Sequence, residues 1–525
     1  MRGQRFGLAS VLALGLLACG DSAFDSKEAA TSGGADFGGD SDSPSPTSDA
    51  GAGGGMAESD TSDPSEERDA PLIPPAAGRR YVYVPSPSID RVARVDSLTL
   101  DVLPIRVGDN PRIVKVSRAG DRAVALNVGS DDVSLLEQGE EAARLDVLKG
   151  CNALELSPDG QIAIAWFDNA ASQPGDEVGS VSEIAWIDLD ARTVKTLTVG
   201  FLPSRVSFSS SGDRVSVLSR DGLSTLTVEA AATQTVLPLV RFAGSGDGAA
   251  VDVNGSGRLA VFREPERLGL RVEDLVGGSE AFVALAAAAG DLDFLDETTL
   301  LLTLPSRRSL AVVSLDAALA GEPALTEVEV EGDVRPLASS LAPGKVALYS
   351  TSANRRVISV VDPTTGAALT ATTLRKTVWS LLPSQTGRRG IVLHDGDATF
   401  NGVDLLATVE RSAGYSVIDF ERGYSHLNLS PVRPSAVVEA PDGSAAYLMI
   451  ADKALGVRRV DRVDYGSLTT QSLTFDGVPE AIGLMEETGQ LYVSQTGAGG
   501  RITFVDLATG ERHEISAYEL NAYIE

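Results

Sequence analysis

Residues 154–166, LELSPDGQIAIAW, decide how this chain folds. On both sides of Asp159-Gly160 the pattern has period two, the spacing that places alternate side chains of a strand on opposite faces. Glycine at the turn supplies the positive φ that a tight hairpin needs. The stretch reads as strand, turn, strand.

The same turn returns along the chain as SRAGD at 117–121, SSSGD at 209–213, NGSGR at 254–258, APGK at 342–345, APDGS at 440–444 and EETGQ at 486–490. A second phrase follows after a variable gap: VARVDSLTLDVL at 92–103, IAWIDLDARTVKTLTV at 184–199, VISVVDPTTGAALTAT at 357–372 and ITFVDLATGERHEI at 502–515. Each is a strand ending in aspartate, a polar turn and another strand. Together the two phrases make units of four short antiparallel strands repeating about every 45 residues, the signature of propeller blades. The expected fold is all-β, a propeller over 79–525. Nine first-to-second-strand turns fall near residues 120, 160, 212, 257, 296, 344, 387, 443 and 489, behind a partial unit at 81–107. Common propellers have roughly four to eight blades. Insertions in a seven- or eight-bladed ring, one larger ring and two fused rings all remain open, with a single closed ring of seven or more blades expected. Two stretches depart from the pattern. LDFLDETTLLLTL at 292–304 has Asp296-Glu297 in place of the glycine turn, and GEEAARLDVLKG at 139–150 is compatible with a helical turn.

The units resemble the YVTN or surface-layer type of propeller repeat, related to the lactonase propeller. Tyr81-Val82-Tyr83-Val84 and Leu491-Tyr492-Val493-Ser494 match its second strand, and Val505-Asp506-Leu507-Ala508-Thr509-Gly510 its third-strand turn. The resemblance implies architecture and leaves activity open. At the other end of the chain, Arg2 and Arg5 precede an apolar run from Phe6 to Ala18 that is too short to span a bilayer and reads as a secretion signal, 1–18. Leu16-Leu17-Ala18-Cys19 resembles the lipobox of bacterial lipoproteins, which implies diacylglycerol and acyl attachment (palmitate) at Cys19. Several acyl chains on one residue hold far better than one. Gly20 after the cysteine resembles the pattern sent to the outer membrane. Residues 19–78 are rich in Gly, Ser and Asp and poor in large apolar side chains, so they read as a disordered acidic tether.

The net charge of −29, from 73 acids and 44 bases, argues against nucleic acid, whose phosphates select clustered Lys and Arg. The loops entering the inner strands carry Arg112, Arg205, Arg335 and Arg433 in DNPRIVKV, LPSRVSF, DVRPLAS and PVRPSAVV. Guanidiniums around one mouth would focus potential on an anionic ligand and grip a carboxylate or phosphate in two places. Glu480 enters the last such loop and could oppose them. Pairing of each arginine with a nearby acid is the plainer alternative.

Other candidates are weaker. His394, His426 and His513 are the only histidines and show no metal-binding spacing, so no metal and no cofactor are expected. Cys151 reads as a buried hydrophobe, and Trp166, Trp186 and Trp379 as blade packing. Asp252, Asn254 and Ser256 imitate the start of a calcium loop, but Arg263 stands where the closing glutamate belongs. The expected function is a lipid-anchored, monomeric binding or scaffold module of the cell envelope, recognising an envelope or extracellular protein or a small anionic ligand through its loops. A lactonase-like hydrolase and an accessory of outer-membrane assembly are the alternatives.

Overall fold

The computed structural model describes residues 77–516 except 118–119, 121, 173–176, 244–249, 264–266, 331–336, 342–343, 354, 397–403 and 497–499. The leader, Cys19, the tether up to residue 76 and Arg335 lie outside the described residues.

Ten antiparallel sheets follow one another along the chain, nine of four strands and the first of three. They form the blades of one closed ring: Tyr81–Arg106, Pro111–Asp146, Ala153–Thr198, Pro203–Arg241, Ala250–Ala284, Leu292–Glu329, Leu337–Thr373, Ser380–Ser430, Ala436–Thr474 and Pro479–Ser516. Each turn counted in the sequence is one blade, so the larger-ring alternative is the one realised. Residues 140–146, where a helical turn was possible, form the outer strand of blade 2.

The recurring turns owe their shape to side chains as well as to glycine. Ser157 Oγ accepts the N–H groups of Gln161 and Ile162 at 3.1 and 2.9 Å. Ser209 serves Arg214, and Asn254 Oδ1 serves Arg258 and Leu259 in the same way. In the second phrase the aspartate folds back on its own turn, as Asp506 Oδ1 does on the N–H groups of Ala508 and Thr509 at 3.0 and 2.7 Å. Such local bonds satisfy donors that would otherwise need water or strain. Blade 6 reaches the same end without glycine, because Asp296 Oδ1 accepts the Thr298 N–H at 2.8 Å.

Blade 1 holds the second, third and outer strands of the repeat. In place of an inner strand, Ala77 makes a single bridge to Val82. Closure comes from face packing: Val82, Ala93 and Val95 sit against Met485, Tyr492, Ile502 and Phe504 of blade 10. Ser97 Oγ also donates to Thr488 Oγ1 at 3.2 Å. The ring therefore closes where the partial first unit meets the complete last one. Between blades 6 and 7 two buried carboxylates act as straps, with Asp291 and Asp293 accepting the N–H groups of Ala338 and Ser340 at 2.8 and 2.7 Å.

Candidate functional site

Antiparallel order puts the loops that enter the inner strands, and those between second and third strands, at one end of the ring. The hairpin turns described above lie at the other. Proline opens the inner strand of blades 2, 4 and 10, and the ladder skips the following residue, so Arg112, Ser204 and Glu480 each occupy a bulge. Bulges re-aim a side chain at a strand end. Arg205 is one residue past that bulge and pairs with Leu218. Arg433 stands two residues before Ser435, whose N–H bonds the Met449 carbonyl at 2.8 Å. The three described arginines thus hold three different places in the repeat, and period-two alternation turns adjacent places to opposite faces.

Their surroundings differ accordingly. Arg112 is half-buried and engaged within the fold. Arg433 pairs with Asp395 at 3.1 Å and lies over the Trp379 ring, 3.7 Å from its centroid. Arg205 is exposed and has no ion-pair or hydrogen-bond partner among the described residues. Glu480 is exposed on its bulge.

Arg433 belongs to a cluster on blades 7 and 8. A cavity of about 100 Å³ there is lined by Thr351, Lys376, Trp379, Asp395 and Glu410, among others. Lys376 is buried, and its Nζ donates to the carbonyls of Val409 and Glu410, each at 2.7 Å. These carbonyls close the helix Leu405–Arg411, where a cation complements the end of the helix dipole. Burial lowers the Lys376 pKa. Arg356 grips both Glu410 oxygens at 2.7 Å and holds that carboxyl below its ordinary range. At the helix start, Asp404 accepts the Ala407 N–H at 2.7 Å. The result is a short helix capped at its start by its own Asp404 and tied at its end, through Lys376 and Arg356, to the loop-bearing face.

Beneath this cluster His394 is fully buried between the Thr377 carbonyl and Ser416 Oγ, both at 2.7 Å. The carbonyl can only accept, so Nδ1 carries the proton and Nε2 accepts from the serine. Burial pushes the imidazole down to about 4. The pair fills the blade interior, away from solvent.

Lys376 and the helix it anchors escaped sequence reading. The signal was there in LRKTVW, 374–379, a basic residue before an inner strand as in the arginine loops. Trp379 packs partly buried against the core of blades 8 and 9, as expected, and its ring is also a platform for Arg433, while Trp166 and Trp186 are core. Cys151 is buried and its thiol pushed up to about 12 by burial. Asn254 spends its amide on the Glu297 carbonyl at 2.7 Å and its oxygen on the turn, so the calcium-like loop is a hairpin cap. Among the described residues no three His, Cys, Asp or Glu are grouped so as to hold a metal ion, and no helix is long and apolar enough to cross a membrane.

Neither a protein-family profile nor a characterised protein sequence matches the chain. Among solved structures it is similar to a eukaryotic initiation factor at 10% identity, covering 76% of this chain and 97% of that one with a TM-score of 0.49. It is similar to the dihydro-heme d1 dehydrogenase NirN in complex with DHE at 16% identity, covering 75% and 73% with a TM-score of 0.40. AztD of Citrobacter koseri aligns at 17% identity over 81% of this chain and 92% of its own, with a TM-score of 0.37. Likeness at these values carries no argument about what the chain binds, and the blades rest on their own strand pairing.

Proposed function

We propose that the chain is a lipid-anchored module of the cell envelope that docks a protein through the loop-bearing end of its ring, without chemistry of its own. The observation that carries this reading is Leu405 and Leu406, 73% and 74% exposed at the start of the pinned helix. These two adjacent leucines form an apolar contact on a helix whose far end Lys376 and Arg356 tie to the ring. Val178, Phe201, Leu268 and Leu455 are exposed on loops of the same end. Grouped exposed apolar residues such as Leu405 and Leu406 mark interaction sites, where single scattered ones do not, and a rigid scaffold carrying variable loops suits recognition. With a net charge of −29, the favoured partner presents an apolar patch rimmed by basic residues. Cys19 and the acidic tether would let the ring reach that partner from the membrane.

A photo-crosslinking residue at 406, set against one at the exposed Val276 of the opposite end, tests the proposal. A discrete adduct in envelope preparations is expected from 406 alone, and Leu405→Glu should remove it. Equal labelling from 276, or an adduct indifferent to Leu405→Glu, would overturn the docking surface.

A further inference from the structure

Blade 4 presents an unusual face to blade 5. Arg205 and Ser207 project from its inner strand, Ser216 and Leu218 from the second, and Leu223 from the third. The cross-strand pairs Arg205–Leu218, Ser207–Ser216 and Leu218–Leu223 put all five on one side. Across from them stand Val251 and Val253 of blade 5, and between the two walls is a cavity of about 130 Å³. Its lining is mostly apolar, with Arg205 its one charged side chain. Neither Ser207 nor Ser216 has a hydrogen-bond partner for its hydroxyl among the described residues. The cavity abuts the inner strands, so Arg205 stands on its channel side.

We infer that this cleft is a binding site for a small organic carboxylate, gripped by Arg205 and the Ser207 and Ser216 hydroxyls, with its hydrocarbon body against Leu218, Leu223 and Val251. The argument is one of complementarity. A guanidinium matches a carboxylate in two places. Two serine hydroxyls without partners in a narrow cleft await acceptors or donors, which buried polar groups normally have. The apolar walls ask for carbon. An apolar cavity of about 150 Å³ admits benzene and one water occupies about 30 Å³, so this cleft has room for a ring or a short branched chain. A phosphate would gain from the single guanidinium and nothing from the walls. The site is independent of the docking surface above, since it lies between blades 4 and 5 and uses none of the helix residues.

Calorimetric titration of the full chain with benzoate, benzyl alcohol and inorganic phosphate tests the assignment. Benzoate should bind saturably, and both other probes at least roughly tenfold more weakly, the scale of one charged hydrogen bond. Arg205→Ala should weaken benzoate by roughly tenfold to a hundredfold while leaving Tm unchanged, because the side chain is exposed and unpaired. Ser216→Leu, which fills the cleft from a second position, should abolish benzoate binding by blocking the space. No benzoate binding at millimolar concentration overturns the site, as does undiminished binding in Arg205→Ala. Benzyl alcohol or phosphate binding as tightly as benzoate overturns the ligand class.

Discussion

The two faces of blade 4 are made by the same strands and have opposite characters. Toward blade 3 the blade offers Val206, Phe208, Val215, Val217 and Leu226, which pack with Trp166, Ile184 and Trp186 into one buried cluster. Toward blade 5 the intervening residues give Arg205, Ser207 and Ser216, and the buried apolar contact shrinks to Leu223, Val251, Ala260 and Phe262 around a cavity. A propeller stays closed if most of its interfaces pack well. One interface can then give up packing for a cleft, because the blades on either side are held by their other neighbours. Stability and binding are thus assigned to alternate residues of the same strands.

The sharpest break in this comparison is a matched pair of truncations. Ile184→Ala, in the packed interface, should destabilise the chain by about 4 kcal/mol, while Leu223→Ala, beside the existing cavity, should cost only about 2 kcal/mol. Urea unfolding measures both, and equal losses would mean the cleft is as tightly packed as its neighbour.

Acid tests other parts of the ring as well. His394 is held at about 4 in the fold against roughly 6.5 when unfolded. Stability that is present above pH 6.5 should therefore fall as the unfolded chain takes up the proton, the loss being complete near pH 4 and at most about 3 kcal/mol. Burial raises Asp291 and Glu439 to about 7, and their contributions run the other way, being lost as pH rises toward 7. Unfolding between pH 7 and 4 should show a flatter profile for His394→Gln, which can still donate and accept. On the blade 5 wall facing blade 4, Glu273 lies on the side of Ala260 and its pKa is raised by burial, so the gap between Ile184→Ala and Leu223→Ala is compared at pH 7.

The smallest effect is a gain. Ser216→Val puts carbon into the cleft and removes an unpartnered hydroxyl, which should raise stability by about 1 kcal/mol. A loss would show that the cleft is collapsed or watered in solution.

Much of the fold was legible because turns and alternation are local. Ser157, Gly160 and Asp506 act within a few residues of themselves, so counting their phrases gave nine turns behind a partial unit before any strand was paired, with the number of blades in the ring left open. Even the polar face of blade 4 could be seen in the alternation of VSF at 206–208 and VSVL at 215–218. The arginines were harder. Arg112, Arg205 and Arg433 look alike as basic residues before inner strands, but a bulge displaces the register by one, and one residue is the difference between two faces. Lys376 was overlooked because its role depends on a helix end more than thirty residues away in sequence.

The sequence by itself determined the strands and their turns, since these follow from dihedral preference, side-chain capping and period-two burial within short segments. Only the tertiary structure decided that ten blades close into one ring by packing first against last. It also decided that Lys376 ties down a helix end and that Arg205 meets a cavity instead of an acid. Those outcomes depend on which faces come together across the ring, and no local pattern carries that information.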